Sequence, residues 1–284
     1  MNINELTHRP KKFTPLLDGI KGPEGPALGP DGLIYFVSTV DSKVLRLNNK
    51  NEISIVHNID GKPNGLAFGL DGELYIADAG KKAILRSNLK DDPEIFCDEY
   101  DGTPFVGPND ICVLENGELL FTDPLRLPDP DPSMSPVFQV NIKGESSPFV
   151  SDLAYPNGVA ISFDGEDVIV SESKANRLIS ISLNNPNTQS INQKLLRRFL
   201  EPGRPDGIAI DIEGNLLVCL PGIDSVAKLD KSGNLIDLFH VPNWRPENLA
   251  FGGENNRTVF VCSGLQSAIH TFTNDFPGLN LPRN

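Results

Sequence analysis

Six residues recur along this chain, each directly after a proline: Glu24, Asn64, Asn109, Asn157, Asp206 and Glu247. Three are carboxylates and three are amides, and none is basic. Hard oxygen donors of this kind suit Ca²⁺, Mg²⁺ or Mn²⁺ and can also hold Zn²⁺. Without a cation, carboxylates brought close together raise one another's pKa. One copy alone carries little weight. In "GRPDGIAIDIEGNLLVCL", from Gly203, Asp206 sits between Pro and Gly and reads as a turn residue. Six aligned copies, all Asp, Asn or Glu, point to a shared chemical role.

The elements that must position these residues form an internal repeat. Aligned copies are "GPEGPALGPDGLIYFVS" from Gly22, "KPNGLAFGLDGELYIAD" from Lys62 and "GPNDICVLENGELLFTD" from Gly107. The others are "YPNGVAISFDGEDVIVS" from Tyr155, "RPDGIAIDIEGNLLVCL" from Arg204 and "RPENLAFGGENNRTVFV" from Arg245. The six variable positions are 40, 45, 48, 49 and 41 residues apart, the period of a four-stranded propeller blade. In the second copy, "GLAFG", "ELYIA", "AILRSNL" and "EIFCDE" read as successive strands by alternation and by β-branched or aromatic content. The "LDGEL" turn is a hairpin signal. The nearest approach to a helical period, "NQKLLRRFL", falls where an outer strand is due.

The expected fold is therefore all-β: a six-bladed β-propeller of four-stranded antiparallel blades, one domain spanning residues 1–284. The last repeat supplies only three strands. The segment "KKFTPLLDG", residues 11–19, is a spare strand and should complete the sixth blade. That closes the ring and leaves no open sheet between first and last blades.

In a propeller the first strand of every blade lines the central channel. The six variable residues should then meet at one mouth. The ends of the second strands come back to the same face, offering Asp78, Asp123 and Glu172. So do the loops that precede each first strand, offering Lys62, Phe105, Tyr155, Arg204, Trp244 and Arg245. From these, together with Asn64 and Arg126, the expected substrate pocket comprises Asn64, Asp123, Glu172, Arg126, Arg204 and Trp244. The Pro-rich stretch "PLRLPDPDPSMSP", Pro124 to Pro136, is expected to be a surface loop placed to cover the entrance.

The totals exclude several classes. A formal net charge of −13 argues against nucleic acid or an anionic membrane as partner. No stretch approaches the roughly 20 apolar residues of a membrane span, and the N-terminal stretch has no signal-peptide core. Cys97, Cys112, Cys219 and Cys262 show no C-x-x-C spacing, which fits reduced core thiols in a cytoplasmic protein. No Ser–His–Asp arrangement is visible, and none of His8, His57, His240 and His270 occupies a variable position. A carboxylate base fits better than an imidazole one.

The stretches "GPEGP", "PNDICVLENGELLFTDP", "YPNGVAISFDG", "IVSESKANRL" and "GRPDGIAIDIEGNLLV" resemble the senescence-marker-protein, gluconolactonase and luciferin-regenerating-enzyme family of six-bladed propellers. The likeness runs over essentially the whole chain. It implies one divalent cation, Ca²⁺ first and Zn²⁺, Mn²⁺ or Mg²⁺ next, held by Glu24, Asn109, Asn157 and Asp206. It implies hydrolysis of a small sugar-type lactone by metal-activated water, with Asp206 as ligand and catalytic base. A relative that hydrolyses organophosphates on a similar scaffold keeps a second ester class open, an organophosphate or aryl lactone. A non-catalytic ligand-binding propeller is the third reading. One departure stands out. The animal lactonases of the family carry a sugar-contacting arginine two residues before the third-blade Asn, and here that position is Gly107. The expected partner is a small-molecule lactone, and the expected state is a monomer.

Overall fold

The computed structural model describes residues 13–126, 135–184, 193–240 and 243–279. Six four-stranded antiparallel sheets follow one another along the chain and close into a six-bladed β-propeller. Their innermost strands are Pro23–Leu28, Pro63–Phe68, Ile111–Val113, Pro156–Ile161, Ile208–Ile210 and Pro246–Gly252. Each inner strand contacts the inner strands of the blades on either side, so the six enclose a channel.

The strands follow from the alternation read above. The second blade runs Pro63–Phe68, Leu74–Asp78, Ala83–Ser87 and Glu94–Cys97. Its first hairpin turns at Gly72, whose φ of +85° is left-handed, with Asp71 Oδ1 accepting the Glu73 N–H. The segment with the nearly helical pattern is the outer strand Lys194–Arg198 of the fourth blade. The sequence did not indicate the small hairpin Glu99–Tyr100/Thr103–Pro104 that follows the second blade.

The sixth blade closes as the sequence requires. Thr14–Asp18 lies outside Ala268–Thr273 and pairs with it antiparallel, Thr14 opposite Thr271 and Asp18 opposite Ala268. Lys11 and Lys12 of the expected strand lie outside the described residues. Phe13 packs edge-on against Trp244 and Phe272, at 4.4 and 5.1 Å between ring centres.

The core is a set of seams, one between each pair of neighbouring blades, rather than a single central mass. Tyr35 and Val37 of the first blade pack with Leu66, Phe68 and Leu85 of the second. Where last meets first, Phe260, Cys262 and Ile269 pack on Ile34 and Phe36. All four cysteines are free thiols, and Cys97, Cys219 and Cys262 are buried. No helix among the described residues is long and apolar enough to cross a membrane.

The two ends of the channel differ. One end holds an apolar cavity of about 240 Å³ walled by inner-strand residues such as Ala67, Val113 and Ile210. The C-terminal segment runs beneath this end, bonding the Leu279 N–H to the Ile210 carbonyl. The other end is polar, and the six variable residues lie there.

Candidate functional site

Each variable residue stands at the entry to an inner strand, and hydrogen bonds tie these entries together across four of the six blade seams. The Gly65 N–H donates to the Asn109 carbonyl at 2.7 Å, and the Gly207 N–H to the Glu247 carbonyl at 2.9 Å. Thr122 Oγ1 donates to the Asn157 carbonyl, and Ser171 Oγ to the Asp206 carbonyl, both at 2.7 Å. The blades approach so closely that the following position is restricted. A Cβ on Gly25 would lie 2.0 Å from the Asn64 carbonyl oxygen, and one on Gly158 2.3 Å from that of Asp206. Glycine is the residue that fits such a contact.

That position is glycine in four blades but Asp110 in the third and Asn248 in the sixth. Both are buried. They form a polar layer deeper in the channel, and sequence reasoning missed it. Asp110 Oδ2 accepts the Val159 N–H at 3.1 Å across the blade seam. Asn248 lies close to the carboxyls of both Glu24 and Asp110 and favours their charged forms, while its Oδ1 accepts the Leu249 N–H. The break in the glycine pattern was the available clue.

Electrostatics mark the ring as a place of unbalanced negative charge. Glu24 is pushed up to about 8, first by burial and then by the charges of Glu247 and Asp110. Burial, with Glu24, Glu247 and Asp110 nearby, raises Asp206 well above the usual carboxylate range, and Arg126 pulls the other way. Burial also raises Glu247, against Arg245, and lifts Asp110 to about 6. A divalent cation would supply the missing positive charge, so the donor set fits one. Among the described residues no three His, Cys, Asp or Glu side chains suffice alone to hold a metal, so an ion would draw on amide oxygens too. Asn157 suits that use. Its Nδ2 is engaged with Ser173 Oγ at 3.2 Å, leaving Oδ1 as the donor a cation would meet. Asn64 Oδ1 is buried and has no hydrogen-bond partner.

Above the ring opens a cavity of about 640 Å³, lined by Asn157, Asp206 and Glu247 on the floor side and by Tyr155, Lys174 and Arg204 among others. Its lining is polar and charged, unlike that of the apolar end. Arg126 bridges the rims of the third and fourth blades. Its Nη1 donates to the Tyr155 hydroxyl at 3.4 Å and its Nη2 to the Gly107 carbonyl at 3.3 Å. A Cβ on Gly107 would lie 3.2 Å from Arg126 Nε, so the guanidinium occupies space that a side chain at 107 would need. Most of the expected covering loop, residues 127–134, lies outside the described residues.

Three expected pocket residues have other tasks. Trp244 is fully buried among Phe239, Leu249 and Phe272, and its Nε1 donates to His270 Nδ1 at 3.0 Å. Its loop turns the indole into a blade seam, where the buried apolar area outweighs exposure at a rim. Asp123 is buried and accepts the Gly107 N–H at 2.6 Å and the Val106 N–H at 2.9 Å. Glu172, also buried, accepts the Ala154 N–H at 2.8 Å and pairs with Arg177. Asp78 does the same for the Lys62 N–H at 2.8 Å. At the second-strand end, then, these acids tie down the loop entering their own blade. Ser38 does so in the first blade through the Lys21 carbonyl, and Ser263 in the sixth through the Trp244 carbonyl. Phe105 is likewise core, while Tyr155, Arg204 and Arg245 do line the cavity. Ser173, Asn176 and Pro221 line it too, residues that the sequence reading did not single out.

The fold and the ring define a six-bladed propeller with a polar, acid-rich ring at one end of its channel. The chain belongs to the SMP-30/Gluconolactonase/LRE-like family, whose model matches residues 22–264. It is 28% identical over 197 residues to a gluconolactonase of Zymomonas mobilis, covering 64% of this chain and 54% of that one. The chain thus spans only about half the length of that curated relative. Among solved structures, a gluconolactonase from Xanthomonas campestris superposes with a TM-score of 0.82 at 22% identity, covering 94% of this chain and 93% of that one. Regucalcin from Agrobacterium tumefaciens, described as a calcium-binding protein, superposes with a TM-score of 0.82 at 18% identity, covering 96% and 97%. At these identities the structural likeness bears on the fold.

Proposed function

We propose that this protein is a metal-dependent lactonase that opens a small hydroxylated lactone. One observation carries the reading: Asp206 and Glu247 meet Asn157 on the floor of a polar cavity, with the buried Glu24 carboxyl close enough to repel both acids. The relatives named as gluconolactonases support it. The residues that would hold the cation are Glu24, Asn109, Asn157 and Asp206, with Ca²⁺ favoured by the calcium-binding structural neighbour. A bound divalent cation supplies Lewis-acid polarisation of the lactone carbonyl and lowers the pKa of a water.

The protein's own groups do the rest. Asp206 takes the proton of the attacking water, since no histidine among the described residues lines the cavity. Ser173 holds Asn157 and, through its bond to the Pro205 carbonyl at 2.6 Å, fixes the corner that presents Asp206. Hydroxyls of the substrate meet a wall of amide, hydroxyl and charged groups. That lining favours a polyol lactone over an aryl ester.

The test is a panel of five- and six-membered aldonolactones beside an aryl lactone and an organophosphate. Acid release would be followed with Ca²⁺, Zn²⁺ or Mn²⁺ and again after chelation. Turnover of the aldonolactones alone, lost on chelation and restored by metal, is expected. Turnover of the aryl or phosphorus esters alone would overturn the substrate class.

A further inference from the structure

The rim of the polar cavity is cationic, in a chain whose net charge is −13. Lys174, Arg204 and Arg245 line it. Of the three carboxylates that share the lining, Asp206 and Glu247 belong to the floor ring, which leaves Glu201 as the acid of the rim. Lys174 Nζ sits 5.8 Å over the Tyr155 ring. Arg245 engages Glu247 through Nε at 3.0 Å. Among the described residues the Arg204 guanidinium pairs with no carboxylate.

Two of these cations are mounted on backbone that disfavours them. Tyr155, Arg204 and Arg245 occupy the position before the blade-entry proline, with φ of +58°, +52° and +48°. In the first blade that position is Gly22, at φ +59°. The left-handed conformation is strained for a residue other than glycine. Long side chains are kept here where glycine would fit without strain. The corners are also held firmly: Asn176 Oδ1 accepts the Arg204 N–H at 2.6 Å, and Asp224 Oδ1 accepts the Arg245 N–H at 2.9 Å. Rigid mounting of this kind pre-organises a binding group. The cavity, at about 640 Å³, is in the range of drug-sized ligands and exceeds an unsubstituted sugar lactone.

We propose that the preferred substrate is a lactone bearing an anionic substituent, a phosphate, carboxylate or sulfonate, read by Arg204, Arg245 and Lys174 while the ring lies over the floor. This rests on the lactonase reading. Arg204 and Arg245 act as specificity residues through charge-assisted bonds to the substituent oxygens.

The test compares kcat/KM for glucono-1,5-lactone with that for its 6-phosphate, for a carboxylate-bearing aldarolactone and for a sulfonate-bearing analogue. At least one anionic lactone should be preferred tenfold or more, mainly through KM, with the preference shrinking as salt is raised. The variant Arg204→Gly relieves the strained φ, so its Tm should hold or rise while the anionic-to-neutral ratio falls tenfold or more. Arg245→Gln should lower the same ratio. A ratio near one in the native protein, or one unmoved in both variants, overturns the proposal. If no lactone is opened, the lactonase reading fails, and calorimetry of the metal-loaded protein still decides the rim: tighter binding of 6-phosphogluconate than of gluconate, lost in Arg204→Gly, sustains an anion site, and equal binding refutes it.

Discussion

Replacing Asp206 with Asn keeps an oxygen donor but removes the group that takes a proton. Turnover should fall by at least ~100-fold, while some metal binding survives. Wild-type rates in Asp206→Asn would remove it as the base. The crowded acids also set a pH dependence. Glu24, at about 8 in the fold against an ordinary 4.5, binds more protons folded than unfolded within that window. Its stabilising contribution is therefore present at low pH and is lost as pH rises through about 8. The metal-free protein should melt at progressively lower temperature from about pH 5 to pH 8, and added Ca²⁺ should reverse the loss. A flat or rising profile without metal would contradict this. At this scale the sequence showed the ring clearly, because six copies of one position carry the same chemistry. It hid Asp110 and Asn248, which occupy a glycine position in only two blades and so read as exceptions.

The loops that enter each blade depend on single buried side chains. Asp123→Ala leaves the Val106 and Gly107 N–H groups without their acceptor and should cost about 2 kcal/mol, read as a lower midpoint in urea. An unchanged midpoint would mean the loop holds itself. Strand positions were legible because alternation and turn chemistry are local. The inward or outward sense of a loop residue was not. Trp244, Asp123 and Glu172 sit where a sequence reading puts rim groups. Their direction depends on whether a neighbouring seam or an unpaired backbone amide needs them, and that is set by tertiary packing.

Ring closure is a property of the whole molecule. Deleting residues 1–18 removes the strand Thr14–Asp18 and the ring of Phe13, exposing Ala268–Thr273 as an edge. The loss should be at least ~3 kcal/mol, so a truncated protein melting with the intact one would refute closure. Closure also explains why the site exists at all. Six equivalent positions, tens of residues apart, become neighbours only when the last blade meets the first. Lactone opening is assigned to one divalent ion acting at that ring, and the most direct measurement titrates Ca²⁺ into metal-stripped protein while following binding and gluconolactone opening together. Activity should rise in step with a single bound ion per chain and reach its plateau at one equivalent. Full activity in the stripped protein, before any metal is added, would contradict it.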